Sequence, residues 1–415
     1  MRALSAAAPS RPFPCPRLHR DERLTMTSHE ELVTRALELR PLLREHAAST
    51  EADRRVPEPV IKAIADAGLF KLATPRRYGG HQSSVRTMVD VSAALAEGDG
   101  STAWVVTLVN VCNWLTSLFP VKAQDDVFGA APDARVTGVL SPTSSTVRVD
   151  GGWRVTGRWY YNSGSWHSDW AVLGVPLTDD SGTVVDQGLA LAPRADLELE
   201  DTWFVAGMKG TASNCLIAED IFVPEHRVLS VPAAIEGDYP ADHADEPLAR
   251  SAFVPVLALV LAGPQLGLGR AALDYVVERV GRKPISYSFY ETQAESVAVQ
   301  MQIAEAALRL DTATLHVHRA AADIDEAALQ GTYPDFTRRA RVRADTGWAI
   351  QNVLEGINTL VSVHGAGSFA EVNPLQRIWR DANTAGRHAI AAPTLAFEVY
   401  GKALVGSDER ITPLV

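Results

Sequence analysis

Apolar residues recur at three- and four-residue spacing over most of the chain, with one long interruption. Leu32, Ala36 and Leu39 form the first stripe, opened by Ser28-His-Glu-Glu31 as a capping box. Pro57 and Pro59 open the next segment, Val60, Ile61, Ala63 and Ile64 give its stripe, and Gly68 closes it. Ser101 caps a further helix through Trp104, Val105, Leu108 and Val111, which Pro120 stops. From about 134 to 230 the period changes to two. Val147 and Val149 alternate, Gly151-Gly152 turns the chain, and Trp153 and Val155 alternate on the return; 170–175, 188–191 and 215–222 are further strand-like runs. Helical periodicity resumes near 246 in the long stretches 254–280, 292–322 and 335–363, whose lengths suit a bundle rather than βαβ units.

The pattern predicts an α+β fold, mostly α. Residues 27–132 form an N-terminal helical domain, 133–235 a central β-barrel-like domain, and 245–405 a C-terminal four-helix bundle. The acidic, Pro-containing stretch 234–246 reads as a linker. Residues 1–26, basic, Pro-rich and without an apolar core segment, read as a disordered tail rather than a secretory signal.

Composition narrows the function. A net charge of −11 disfavours nucleic acid and acidic membranes as partners. Cys15, Cys112 and Cys215 form no C-x-x-C pair and no metal-ligand spacing, which fits a reducing cytoplasm and no metal site. Apolar runs stop short of the ~18 residues that a membrane-spanning helix needs. The Rossmann glycine fingerprint, the P-loop lysine, the G-x-S-x-G elbow and H-E-x-x-H are all missing.

Three segments carry candidate chemistry. Gly157-Arg-Trp-Tyr-Tyr-Asn-Ser-Gly-Ser165 places Trp159, Asn162 and Ser163 where a strand turns at Gly164; aromatic walls with a few polar groups suit a flat, polar-edged ring. Gly207-Met-Lys-Gly-Thr-Ala-Ser213 offers small residues and backbone N–H groups for an anion or a ring edge. In 374–388, Arg380-Asp381 reads as a structural ion pair, and His388 lies seven residues after Asp381, on the same face of an unbroken helix.

In order and spacing these segments resemble the acyl-CoA dehydrogenase fold from about residue 30 to 401. The anchors are 73–80, Gly98-Asp-Gly-Ser-Thr-Ala-Trp104, 153–164, 207–224, Glu278-Arg279-Val280 and 364–381. Dehydrogenases of one large subset carry a proton-abstracting glutamate shortly after the Arg-Asp-Ala stretch. Here that position is Ala389, which cannot accept a proton. The chain is more similar to the oxygenase halves of two-component flavin-dependent monooxygenases on this fold, such as p-hydroxyphenylacetate 3-hydroxylase, steroid-ring hydroxylases and polyketide-tailoring hydroxylases.

That resemblance implies reduced FMN or FAD delivered by diffusion from a separate reductase, O2 as co-substrate, a C4a-hydroperoxide, and hydroxylation of an aromatic or polyketide-like molecule. The alternatives are N- or S-oxidation on the same fold, an acyl-CoA dehydrogenase, and a non-catalytic binding protein. By the resemblance His388 accepts a phenolic proton and Ser163 hydrogen-bonds near the flavin N5. Ser141, Trp159, Asn162, Lys209, Thr211, Ser213, Gly365 and Gly367 join Ser163 around the flavin. Arg279 reaches flavin phosphate across a subunit boundary, which implies at least a dimer and, in the family, a homotetramer. Asn113 stands where several relatives have a substrate-facing histidine, and His167 is a further substrate candidate.

Overall fold

The computed structural model describes residues 27–240 and 246–415. The tail expected over 1–26, Cys15 and part of the expected linker lie outside the described residues.

Ser28 caps α1 (His29–Ala52), its Oγ accepting from the Glu31 N–H at 3.1 Å. α2 (Glu58–Asp66) starts at the prolines and ends ahead of Gly68, whose φ of +75° only glycine adopts freely. α3 (Val85–Ala96) leads into α4 (Gly100–Ser117), and α5 (Val121–Gln124) follows Pro120. Asp99, not Ser101, caps α4. Its carboxylate accepts from the Thr102 N–H at 2.8 Å and hydroxyl at 2.7 Å, while Ser101 sits inside the first turn. Both residue types cap well; Asp99 precedes the first helical residue, where its carboxylate reaches the N–H three residues on. Nearly every residue of α4 is buried, so it runs through the core.

The strands are β1 (Val136–Val139), β2 (Ser144–Val149), β3 (Gly152–Asn162), β4 (Trp170–Thr178), β5 (Val184–Pro193), β6 (Glu198–Glu200), β7 (Asn214–Pro224) and β8 (Val228–Ser230). They form two four-stranded sheets, β1-β4-β5-β8 and β2-β3-β7-β6, parallel only between β1 and β4. Val155, Trp159, Leu173, Val175, Leu216 and Val223 fill the space between the sheets. β2 and β3 are joined at Asp150-Gly151, one residue ahead of the expected Gly151-Gly152 turn, with Gly151 at φ +74° and Gly152 already paired in β3.

After α6 (Val231–Ile235), the C-terminal helices are α7 (Phe253–Leu259), α8 (Ala262–Val277), α9 (Val297–Gln330), α10 (Phe336–His364), α11 (Pro374–Ala385) and α12 (Pro393–Leu404). The helix expected over 254–280 is interrupted at Val260-Leu261, because Pro264 has no N–H for the Val260 carbonyl. Phe253–Val277 is nonetheless long and apolar enough to cross a membrane by length and composition; 94 % of its most apolar window is buried inside the protein. α8, α9, α10 and α12 pack as the bundle, with α11 lying against α8 and α10.

Candidate functional site

Three separate parts of the chain meet at the Trp104 indole. The first is α4, which carries Trp104 on its second turn. The second is the end of β3. A register shift against β7 between Trp159 and Asn162, with Tyr161 at φ +71° and Gly164 at φ +77°, turns the chain sharply at Ser163. The Ser163 carbonyl accepts from Thr137 Oγ1 at 2.8 Å, and the Gly164 N–H donates to the Thr211 carbonyl at 2.8 Å. Ser163 Oγ accepts from Trp104 Nε1 at 3.1 Å. The third part is the turn beyond α11, where the His388 ring lies 5.9 Å from the Trp104 ring, tilted by 54°.

His388 does not arrive as sequence spacing predicts. α11 ends at Ala385, so the seven residues from Asp381 do not place His388 on one helix face; a loop carries it in. Its imidazole has no hydrogen-bond partner among the described residues and is open to water, yet it is sunk among protein atoms. That burial lowers its pKa to about 4, so the ring is neutral at neutral pH and both nitrogens are available. Ala389 follows it directly.

Behind Ser163 lies a chain of hydroxyls. Ser163 Oγ is 2.8 Å from Ser213 Oγ, which is 2.7 Å from Thr211 Oγ1, which donates to the Met208 carbonyl at 2.9 Å. Met208 and Ala212 both have left-handed backbones, at φ +55° and +47°. The tight turn between them is anchored by the Met208 N–H, which donates to Asp381 Oδ1 at 2.5 Å. Thr211 and Ser213 therefore support Ser163.

Several expected contacts are placed elsewhere. Trp159 is fully buried between the sheets and donates to the Gly174 carbonyl at 2.8 Å, so it is a core residue and not a wall of the recess. Asn162 is fully buried behind the strand end; its amide donates to the Trp159 carbonyl at 2.6 Å, and its Oδ1 has no partner. Asn113 has no surface to offer a substrate. Its Nδ2 faces Phe70 O, Thr74 Oγ1 and Ala134 O at 3.1–3.4 Å, and its Oδ1 accepts from the Val136 N–H at 3.2 Å. His167 is buried 3.3 Å from Glu58, with Nε2 unpartnered, and burial lowers its pKa.

Ser141 is exposed on the β1–β2 loop, with no hydrogen bond to Ser163. Lys209 turns outward to Glu51 at 3.7 Å. Arg380 also pairs with Glu51, at 2.6 Å, so the expected Arg380–Asp381 ion pair does not form. Arg279 stacks on Tyr275 at 3.6 Å, donates to the Tyr275 carbonyl and pairs with Glu278, beside a 290 Å³ cavity shared with Arg44, Asp99, Arg377 and Asp381. Gly365 ends α10 at φ +80° with open space where a Cβ would stand, and Gly367 lies in the turn that follows.

Trp104 was legible only as an anchor of the resemblance, and Asp99 not as a site residue. Asp381 is pushed up to about 7, first by burial and then by Asp99, and burial raises Asp99 as well. A Cβ on Gly100 would come within 3.4 Å of Asp381 Oδ2, which shows how closely that carboxyl abuts the start of α4.

The two ends of the chain match family models. Residues 29–126 match the acyl-CoA dehydrogenase N-terminal domain, and 259–393 match the acyl-CoA dehydrogenase C-terminal domain. The oxygenase subunit HsaA of a flavin-dependent monooxygenase from Rhodococcus jostii is 34 % identical over 89 % of this chain and 96 % of its own. The chain belongs to the flavin-dependent monooxygenases built on the acyl-CoA dehydrogenase fold. The oxygenase component of an FADH2-dependent resorcinol hydroxylase from a Rhizobium species is 31 % identical over 92 % of this chain and 96 % of its own. The structure of XiaF from a Streptomyces species in complex with FADH2 and glycerol superposes with a TM-score of 0.89 at 39 % identity, covering 93 % of this chain and 98 % of that one.

Proposed function

We propose that this protein is the oxygenase component of a two-component flavin-dependent hydroxylase, and that the recess between Ser163, Trp104 and His388 is where it hydroxylates an electron-rich aromatic or polyketide-like molecule. The observation that carries the reading is His388: an accessible, unpartnered, neutral imidazole beside a flat indole wall, with alanine next to it where related dehydrogenases hold a base. A hydroxyl with unused hydrogen-bonding capacity, a planar aromatic and a free imidazole fit a flat ring with a polar edge.

Reduced flavin, when bound, reduces O2 so that one oxygen atom reaches the substrate and the other leaves as water. The protein's own residues do the rest. His388 accepts the proton of a substrate hydroxyl at a ring nitrogen, which raises electron density on the carbon that is oxidised. Ser163, held by the Trp104 N–H, fixes the polar edge of the flavin. Trp104 and the surrounding helix α4 keep water from the reacting side. Arg279, Gly365 and Gly367, at the ends of α8 and α10, form the phosphate-facing part in an assembly of at least two subunits, with a homotetramer as the family form.

Relatives above 30 % identity named with FADH2 favour reduced FAD, and names such as oxygenase component and oxygenase subunit favour its delivery by a separate reductase; our reading places both in the cytoplasm. The test is to supply reduced FAD, ¹⁸O2 and a panel of phenols to the purified protein. The reading predicts one labelled oxygen in the product. Reduction of bound oxidised flavin by an acyl thioester would overturn it.

A further inference from the structure

α11 separates two hollows, and Arg377 borders both. One is the 290 Å³ cavity beside Arg279. The other is an open groove of 720 Å³ between the end of α1, residues 204–209 and α11. The groove shares no residue with the recess of Ser163, Trp104 and His388. The two hollows differ in charge. In the cavity Arg44, Arg279 and Arg377 meet five carboxyl groups, those of Glu97, Asp99, Asp274, Glu278 and Asp381. In the groove four cations, Arg54, Lys209, Arg377 and Arg380, meet only Glu51 and Glu371. An anion is therefore drawn to the groove and not to the cavity.

Two of the groove's cations lack an acceptor. Glu51 is taken by Arg380 at 2.6 Å, and Arg380 is fixed further by Gln376 Oε1 at 2.7 Å and by the Ala206 carbonyl. Lys209 and Arg377 stand 3.7 and 3.8 Å from the same carboxylate, beyond hydrogen-bond reach. Neither side chain donates to any acceptor among the described residues. The Arg377 side chain is only 20 % exposed, so its guanidinium N–H groups open onto the hollows it lines. A planar guanidinium fork matches a carboxylate. Beside these donors lies a bare ring: Phe204 is 72 % exposed. The Arg54 guanidinium lies over it, 4.1 Å from its centroid, and Asp201 holds Arg54 at 2.6 Å. An exposed phenyl ring next to N–H donors without acceptors suits a ligand that is flat and apolar at one end and anionic at the other.

We propose that the groove is a second ligand site, for an aromatic carboxylate, with the carboxylate between Arg377 and Lys209 and the ring along Phe204. Glu51 does not compete, because Arg380 already neutralises it. The bound carboxylate ties Lys209, in the 207–213 turn, to α11, beside the bond from the Met208 N–H to Asp381. A neutral ring forfeits the cations, and an inorganic anion leaves Phe204 bare.

Calorimetric titration of the purified protein with 2-naphthoate, and with 2-naphthamide as its neutral counterpart, tests the site. The expected result is saturable binding of 2-naphthoate that weakens with added salt, with 2-naphthamide at least about tenfold weaker. Arg377→Gln should weaken 2-naphthoate by at least about tenfold. Lys209→Gln and Phe204→Ala should weaken it severalfold, and His388→Ala, in the recess, should leave it unchanged. Lys209→Gln and Phe204→Ala decide the question if Arg377→Gln does not fold. Absence of 2-naphthoate binding, equal binding of the two probes, or an affinity that survives both Arg377→Gln and Phe204→Ala overturns the inference. So does a single 2-naphthoate site that is lost in His388→Ala, which places the ligand in the recess.

Discussion

Asp381 and His388 sit at the two ends of one short stretch, and burial drives both toward their neutral forms, Asp381 up to about 7 and His388 down to about 4. Their surroundings differ. Asp381 is enclosed against the first turn of α4, and its Oδ1 takes the Met208 N–H, which holds the 207–213 turn onto α11. The His388 ring has an aromatic neighbour, an open face and no hydrogen bond among the described residues. The same shift in proton affinity thus accompanies architecture in one place and available chemistry in the other. What separates them is whether the polar atoms are already engaged.

That contrast can be broken at either end. The largest effect is expected at His388. His388→Ala should lower hydroxylated product per flavin oxidised by at least about a hundredfold, the scale of a lost general base. Its melting temperature should stay near wild type, since the ring holds nothing together. A fall in melting temperature as large as the loss of product would make His388 structural.

Asp381 should behave in the opposite way. Asp381→Ala leaves the Met208 N–H without its acceptor and should cost ~1–3 kcal/mol of stability by denaturant titration. Asp381→Asn supplies an amide oxygen and should largely restore it. The pH dependence adds a sign. Because the folded carboxyl holds its proton more tightly than the unfolded one, the native state binds more protons between the ordinary carboxylate value of 3.8 and about 7. Stability from this group is present below that window and is lost as pH rises through about 7. Asp381→Asn should flatten that part of the wild-type stability profile, and an unchanged slope would locate the effect elsewhere.

The Asn113 site sharpens the comparison further. Asn113→Ala should destabilise by ~1–3 kcal/mol, because the buried Val136 N–H loses its acceptor, with no change in the order of preference among substrates. A changed substrate preference at unchanged stability would return Asn113 to the binding site. The smallest effect is expected at Ser163. Ser163→Ala should raise the fraction of oxygen released as hydrogen peroxide by severalfold while binding persists; an unaltered coupling ratio would reject the role assigned to its hydroxyl.

Periodicity made the fold legible. The spacing of Val299, Ile303, Ala306, Leu308 and Leu310 predicts one apolar face; Val299, Ala306 and Leu310 are buried on α9, Ile303 is half-buried and Leu308 is exposed, and the alternation around Gly151 became the β2–β3 hairpin. It could not show that Pro264 splits the helix at Val260, since a proline near an apolar run can sit in a first turn or in an interior. At the site, Ser163 was readable from the strand-end turn. The meeting of Trp104 with Ser163 and His388 was not, because those residues come from three separate segments. Trp159 and Asn113 misled for a common reason. An aromatic in a strand and an amide in a helix look alike whether they face a ligand or the core, and only the engaged Trp159 N–H and the four contacts of Asn113 distinguish the cases.

The most direct test of the central claim is isotopic. With reduced FAD, ¹⁸O2 and an electron-rich phenol, wild-type protein should place a single ¹⁸O atom in the product, and His388→Ala should consume the same oxygen while forming almost none of it. Product free of ¹⁸O, or equal labelled product from His388→Ala, would contradict the account.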